Sequence, residues 1–222
     1  MLELYAGVGG LAAALGPAAE IVAAVDINRS ALEVYGHNFD HPRMTGLVEG
    51  LDAAELAALD ADLWWASPPC QPFTRRGRRL DLDDPRAQTF KAFVDRIVRV
   101  RPRYLAMENV VGFESSAARD LLRSALDGAG YGRVREEVIC PSELGWPNRR
   151  PRYYLVASRG AMREVPRKPP VRRNLAPLLD AADDPDLLLP EATARRYRHA
   201  IDVVERGDPG AISGCFTSAY GR

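Results

Sequence analysis

The chain has 222 residues, 46% of them hydrophobic, and its 30 basic and 30 acidic side chains cancel to a formal net charge of zero. This length suits one good-sized domain or a domain with part of a second, and the zero charge argues against a general polyanion binder. The apolar runs are too short to cross a bilayer and the first residues carry no basic segment, so we expect neither a membrane helix nor a signal peptide.

Predicted strands and helices alternate from the start of the chain to about residue 160. Apolar runs predict strands at 2–5, 21–25, 44–48, 63–66, 104–107, 134–139 and 153–157. Helical spacing predicts helices at 11–15, 30–39, 85–100 and 117–126, the second of them capped near Ser30. Alternation of this kind predicts an α/β fold, with a mostly parallel sheet and helices on both faces.

The composition changes after this alternating part. Residues 165–190 are rich in proline, arginine and aspartate, as linkers are, and residues 191–206 form an isolated helix candidate. We therefore predict one domain over residues 1–160, followed over residues 161–222 by a linker and a second, partial region.

A glycine-rich turn, Gly7-Val8-Gly9-Gly10, lies between the first strand and the first helix. Glycines there let the backbone turn tightly and approach a ligand closely. Asp26, at the end of the next strand, is placed to bond ribose hydroxyls. The pattern predicts a nucleoside cofactor and leaves its identity open, because Gly7, Gly9 and Ala12 also fit a dinucleotide fingerprint.

The stretch from Pro68 to Gly77 places Cys70 between prolines, directly after a predicted buried strand. Such a backbone holds a sulfur at one angle, as a nucleophile requires. Glu108 at a later strand end adds an acid, and Arg150 and Arg152 add positive charge that favours a thiolate. Together these groups predict thiolate addition to carbon 6 of cytosine so that carbon 5 can be methylated, with a buried, protonated Glu108 serving ring nitrogen 3.

The cysteines and the distribution of charge limit which metals and binding partners the chain can have. Three cysteines in no metal-ligand spacing predict no metal site and no disulfide framework, which favours the reducing cytoplasm. Arginines cluster beside Cys70 and acids gather elsewhere, so one basic face can exist on a neutral protein.

These motifs, in this order, resemble those of the cytosine-5 methyltransferase family. The matching segments are 4–10, 68–72, 108–110 and 148–152. The resemblance implies a Rossmann-like, S-adenosylmethionine-dependent methyltransferase fold with S-adenosylmethionine as cofactor. It makes Cys70 the nucleophile, Glu108 the partner of nitrogen 3, and Arg150 and Arg152 the supports of base and thiolate. The residues it implies for the cofactor are Tyr5, Gly7, Val8, Gly9, Gly10, Asp26, Ile27 and Pro68, with Asp52 as the candidate for the adenine amine.

A finer resemblance points to the branch of this family that methylates a cytosine in the anticodon loop of aspartate tRNA. The tripeptide Cys215-Phe216-Thr217 is similar to a signature of that branch. It implies a catalytic domain over residues 1–160 and a partial target-recognition region within 161–222. A loop cytosine leaves its stack at low cost, and basic side chains beside it would contact phosphates. The implied substrate-binding residues are Gln71, Arg75, Arg76, Asn109, Cys215, Phe216 and Thr217.

Two other functions stay open at this point. Relative to the family, the chain is short between Arg152 and Cys215 and lacks the last two motifs, so we expect a C-terminally truncated member. One alternative is a DNA cytosine-5 methyltransferase of the restriction-modification type. The other is a non-catalytic remnant that binds nucleic acid without turnover. A nicotinamide oxidoreductase is less favoured, because nothing else in the sequence serves hydride transfer.

Overall fold

The computed structural model describes residues 1–69, 87–164, 169–179, 185, 188–199, 201, 203–205 and 207–215. These residues form two compact units, Met1–Val138 with Arg152–Glu164, and Ile139–Pro151 with Val165–Arg222. The strands are β1 (Leu2–Leu4), β2 (Ala23–Asp26), β3 (Arg43–Thr45), β4 (Leu63–Ala66), β5 (Tyr104–Val110), β6 (Arg133–Ile139) and β7 (Arg152–Ser158). The α-helices are α1 (Gly10–Leu15), α2 (Arg29–Asn38), α3 (Ala53–Ala58), α4 (Ala87–Val100), α5 (Ala117–Gly128) and α6 (Glu191–Tyr197).

The seven strands form one sheet in the order β3-β2-β1-β4-β5-β7-β6. Strands β1 to β5 pair in parallel, and β7 runs antiparallel to β5. This arrangement confirms the predicted mostly parallel α/β sheet. The strand order reverses between β1 and β4, and at such a point the loops that follow the two strands leave a crevice where ligands bind.

Both faces of the central strands are buried, which explains why they are continuous apolar runs. Ala23 and Val25 belong to the larger apolar cluster, whereas Ala24 between them belongs to a second cluster on the other face. The larger cluster also holds Trp64 of β4 and Phe93 of α4, neither of which is accessible to solvent. The sheet is therefore a rigid platform for the loops at its edge.

One carboxyl group lies inside this sheet. Glu3 on β1 is only 1% exposed, and the Tyr35 hydroxyl donates to its Oε2 at 3.1 Å. The same hydroxyl lies 2.9 Å from Nδ1 of His41. Burial raises the pKa of Glu3 to about 7, although the Tyr35 hydrogen bond acts in the opposite direction.

The structure corrects several predicted boundaries, among them the strand predicted at 44–48, which ends at Thr45. Strand β5 continues to Val110, so that Glu108 lies within the strand and not at its end. Helix α2 is capped by Asn28, whose side chain accepts from the Ala31 amide at 3.2 Å, and not by Ser30. Helix α6 ends at Tyr197 instead of continuing to residue 206. Among the described residues, no helix has the length and apolar character needed to span a membrane.

Candidate active site

The turn that follows β1 requires glycine at two positions for different reasons. Gly7 and Gly9 have φ angles of 56° and 91°, in the left-handed region that favours glycine. A Cβ on Gly9 would lie 2.5 Å from the Phe39 ring, whereas a Cβ on Gly7 would meet no atom within 4 Å. Gly9 thus allows close packing against α2. Gly7 borders open space in front of the turn, where a ligand can approach the backbone.

Asp26 at the end of β2 holds this turn in place. Its Oδ2 accepts from the Gly7 amide and its Oδ1 from the Asn28 amide, both at 2.8 Å. Each carboxylate oxygen keeps a further lone pair with which it can accept from a ribose hydroxyl. The bond to ribose hydroxyls stays a prediction. The neighbouring side chains of Val8 and Ile27 are 55% and 60% exposed, and Gly10, the first residue of α1, is exposed as well.

Tyr5 carries a buried hydroxyl that has no hydrogen-bond partner among the described residues. Burial raises the pKa of this phenol, and the negative charge of Glu49 raises it further. The ring packs edge-on against Phe93, with centroids 6.4 Å apart. An unsatisfied buried polar atom is costly, and here it lies beside the turn predicted to bind the cofactor.

Asp52 has a structural role in this part of the molecule. Its Oδ1 accepts from the amides of Ala54 and Glu55 at 2.7 and 3.3 Å, which caps α3. Arg96 holds the loop before it by donating to the Leu51 carbonyl at 2.7 Å. The assignment of Asp52 to the adenine amine stays a prediction.

The segment that leads to the predicted nucleophile is tied to two strands. The Ser67 hydroxyl donates to the Tyr5 carbonyl at 3.2 Å. Asn109 is 2% exposed and donates through Nδ2 to the carbonyl of Pro68 at 3.4 Å. Ser67 was missed by the sequence reasoning, because its contact depends on β1 and β4 being neighbours. The predicted site residues Cys70, Gln71, Arg75 and Arg76 lie outside the described residues.

Glu108 and Arg152 form an ion pair across two antiparallel strands. In the β5–β7 register Arg152 is opposite Val110, so Arg152 and Glu108 are diagonal neighbours on one face. Arg152 Nε lies 3.0 Å from Glu108 Oε1, and the two side chains are 16% and 23% exposed. The structure thus brings together the predicted catalytic acid and one of the two predicted arginines.

The second unit brings together two motifs that lie far apart in the sequence. Arg150 donates through Nη1 to Sγ of Cys215 at 2.8 Å. Asn148 forms a parallel bridge with Ser213 and donates through Nδ2 to its hydroxyl at 2.9 Å. Asn148 also donates to the carbonyl of Gly214 at 3.1 Å. The Asn-Arg-Arg segment therefore anchors the start of the Cys-Phe-Thr tripeptide, whose Phe216 and Thr217 lie outside the described residues.

Cys140 is a buried thiol of the same unit. Burial raises its pKa, but hydrogen bonds from the Ser142 hydroxyl and from the amides of Ser142 and Arg150 leave that pKa below its ordinary value. The Cys140 sulfur is thus held by contacts with Ser142, Asn148 and Arg150. Among the residues that the structure describes, no group of three or more His, Cys, Asp or Glu side chains is arranged to hold a metal ion.

Comparison with known proteins agrees with this arrangement. The human tRNA (cytosine(38)-C(5))-methyltransferase is 43% identical over 163 residues, a match that covers 71% of this chain and 41% of the human protein. The Schizosaccharomyces pombe tRNA (cytosine(38)-C(5))-methyltransferase is 34% identical over 239 residues, covering 99% of this chain and 71% of the relative. The chain thus spans about two fifths of the length of its human relative.

A solved structure and a family model also match this chain. The crystal structure of S. pombe Dnmt2 methyltransferase matches with a TM-score of 0.83 at 32% identity, over 99% of this chain and 71% of that one. The model of the C-5 cytosine-specific DNA methylases matches residues 1–203. The glycine turn, the Glu108–Arg152 pair and the Asn148–Arg150 segment all fall within that match, and the chain belongs to the C-5 cytosine-specific DNA methylase family.

Proposed function

We propose that this chain transfers a methyl group from S-adenosylmethionine to carbon 5 of a cytosine in tRNA, in the anticodon loop of aspartate tRNA, through a covalent adduct with Cys70. The Glu108–Arg152 ion pair at 3.0 Å carries the proposal. The pair orients the Glu108 carboxyl group on β5, and the next residue of that strand, Asn109, donates to the carbonyl of Pro68, two positions before Cys70 in the sequence.

The residues at the switch point fit the cofactor. Members of this family use S-adenosylmethionine, which confirms the predicted cofactor. The left-handed turn at Gly7 borders open space, Asp26 offers carboxylate oxygens for ribose hydroxyls, and Val8 and Ile27 expose apolar surface. The buried Tyr5 hydroxyl supplies a polar atom without a partner among the described residues. When bound, S-adenosylmethionine supplies an electrophilic methyl group.

The chemistry assigned to the chain begins with the Cys70 thiolate. Its sulfur bonds to carbon 6 of the cytosine, and the electron pair of the 5,6 double bond makes carbon 5 nucleophilic. Glu108 acts here as the neutral carboxylic acid: it donates its proton in a hydrogen bond to ring nitrogen 3 and so stabilises the negative charge that the ring gains when the thiolate adds. Arg152 fixes the orientation of Glu108. Once carbon 5 is methylated, its proton passes to solvent, the electron pair of that C–H bond re-forms the 5,6 double bond, and the sulfur leaves carbon 6 as the thiolate, which restores the aromatic base.

A tRNA substrate is supported by the relatives and by the cost of exposing the base. Both relatives compared above are named for cytosine 38 of tRNA. A loop nucleotide is unpaired, so turning it out costs less than in a duplex. The second candidate, a duplex DNA substrate, is supported by the name of the matched family.

Tritiated S-adenosylmethionine, incubated with total tRNA or with duplex DNA, distinguishes the substrates. We expect label in tRNA, mapped to one anticodon-loop cytosine, and little in DNA. Label in DNA alone would replace the tRNA assignment. Binding of tRNA without product at any cofactor concentration would favour the non-catalytic alternative.

The adduct needs a separate test. An RNA hairpin that carries 5-fluorocytosine should trap the protein as a complex stable to denaturing electrophoresis, because fluorine cannot leave as the proton does. Cys70→Ala should lose both the complex and methyl transfer, by at least about a thousandfold. The matched control is Cys140→Ala, which removes a packed thiol and should leave trapping intact. Trapping by Cys70→Ala would refute the mechanism.

A further inference from the structure

An exposed tryptophan in the second unit is covered by an arginine. Trp146 is 43% exposed, whereas Trp64 is fully buried and Trp65 is partly buried. Cζ of Arg173 lies 3.8 Å from the centroid of a Trp146 ring, which is stacking distance for a guanidinium. With 43% of its surface exposed, Trp146 remains accessible to a partner beside Arg173.

The backbone holds this stack in position. Gly145 has a φ of 87°, and a Cβ there would lie 2.3 Å from the carbonyl oxygen of Val171. The Arg173 amide donates to the Gly145 carbonyl at 2.8 Å, and the Trp146 amide donates to the Pro141 carbonyl at 3.0 Å. Any side chain at position 145 would push the two segments apart. The segment that carries Arg173 is therefore fixed against the turn that carries Trp146.

Two further arginines lie within three residues of the stack in the sequence: Arg149 follows Trp146, and Arg172 precedes Arg173. Arg149 and Arg172 are exposed in the same unit, and the Arg149 amide is fixed to the Ser213 carbonyl at 2.9 Å. Arg149, Arg172 and Arg173 make no ion pair with any acid that the structure describes. Cations that no described acid neutralises are suited to phosphate groups.

We propose that Trp146 and Arg173 form a stacking platform for an unpaired base of the RNA substrate, with Arg149 and Arg172 contacting the adjoining phosphates. This rests on the proposed tRNA methyltransferase function and names a contact that function needs. Unpaired bases stack on aromatic rings and on arginine planes. A fully paired duplex hides the faces of its bases, so the platform selects a looped RNA over a duplex.

Fluorescence of the full-length chain tests the platform. An RNA hairpin with an unpaired loop should quench the Trp146 emission and protect it from iodide, and a blunt duplex of the same composition should do neither. Trp146→Leu should abolish the quenching and raise the Kd for the hairpin roughly tenfold. Trp146→Phe should restore part of the affinity because it retains a ring. Trp65→Phe, which changes a partly buried tryptophan of β4, is the control and should bind as the unchanged chain does.

Three outcomes decide the matter. Equal hairpin affinity for Trp146→Leu and the unchanged chain, with unaltered thermal unfolding, would overturn the platform, and the stack would then serve only to hold residues 171–173. Methyl transfer with unchanged KM in Trp146→Leu would overturn it while leaving the proposed function standing. Hairpin-dependent quenching without any methyl transfer would support the platform and remove the proposed function. If the platform is right, Trp146→Leu raises KM for tRNA and leaves kcat unchanged.

Discussion

Two carboxyl groups on the same sheet, the buried Glu3 and the half-buried Glu136, have pKa values shifted in opposite directions. Burial raises the pKa of Glu3 to about 7. Burial also raises the pKa of Glu136 on β6, yet its hydrogen bonds leave that pKa below the ordinary value. Arg119 donates to both Glu136 oxygens, at 2.8 and 2.9 Å, and the Tyr153 hydroxyl donates at 2.7 Å. Glu136 is less buried than Glu3, and Arg119 and Tyr153 together outweigh the effect of burial there, whereas a single tyrosine hydroxyl does not outweigh it at Glu3.

Glu108 also has a guanidinium neighbour, Arg152, but lies at the candidate active site. Arg152 approaches it through Nε. The comparison teaches that the hydrogen-bond partner of a carboxyl group withdrawn from solvent determines its pKa and its orientation. A guanidinium fixes the orientation of the carboxyl group. Without a guanidinium, as at Glu3, ionising the buried carboxyl group destabilises the fold, and the size of that effect depends on pH.

The largest expected effect comes from removing the partner of Glu108. Arg152→Met should lower single-turnover methyl transfer by about a hundredfold or more, because Glu108 loses its orientation toward ring nitrogen 3. Arg152→Lys keeps the charge and should recover part of the rate. Cofactor affinity, measured by calorimetry, should stay near the original value in both. A fully active Arg152→Met variant would contradict the claim that Arg152 orients Glu108 for catalysis.

The next effect is on stability. Glu136→Ala leaves two partly buried arginines, Arg119 and Arg123, without their shared carboxylate, and should lower the free energy of unfolding by about 2–4 kcal/mol in urea. Glu33→Ala, on the exposed side of α2, is the control and should change it by less than about 0.5 kcal/mol.

Acid should erase the Glu136 effect. A carboxylate with a lowered pKa contributes stability above its ordinary range and loses it as pH falls through the folded-state pKa. The difference between Glu136→Ala and the unchanged chain should therefore shrink in urea titrations below about pH 4. A difference that persists undiminished would show that packing, and not charge, carries the effect.

Glu3 should behave in the opposite way. Its raised pKa favours the protonated form in the fold, so the cost of ionising it grows as pH rises from the ordinary carboxyl range and is complete above about 7. Glu3→Gln keeps an acceptor for Tyr35 and should raise the Tm at pH 8.5 by at least about 2 °C. At pH 5 the two proteins should melt together. A lower Tm for the variant at pH 8.5 would contradict this account.

The smallest effect should be at Arg123. Its Nε lies 3.3 Å from Glu136 Oε1, but its Nη1 is buried without a hydrogen-bond partner among the described residues. Arg123→Met removes that unsatisfied group together with a secondary contact, so the stability should change by less than about 1 kcal/mol. Arg119→Met, its matched counterpart, should cost clearly more in the same urea titration.

The sequence predicted the sheet well and the polar contacts poorly. The apolar run 63–66 gave β4 its observed bounds, because a strand buried on both faces shows a continuous apolar pattern. Strand β5 was predicted to stop at Met107, where apolarity ends, yet pairing with β7 carries it to Val110. Backbone hydrogen bonds of a ladder do not depend on whether the side chains are polar.

In the candidate site too, local features could be predicted from the sequence and contacts between distant residues could not. The glycine turn and Asp26 could be predicted because each sits at the end of a short local pattern. The bond from Gly7 to Asp26 could not, since it requires β1 and β2 to be neighbours in the sheet. The bridge between Asn148 and Ser213 joins positions 65 residues apart, and no local signal marks it.

Asn109 has a consequence for how the active site moves. It follows Glu108 on β5 and donates to the carbonyl of Pro68, two positions before the predicted nucleophile in the sequence. Thermal motion that tilts this strand therefore displaces Glu108 and Pro68 in the same direction. The distance between Glu108 and Pro68 should therefore change little when the sheet as a whole fluctuates.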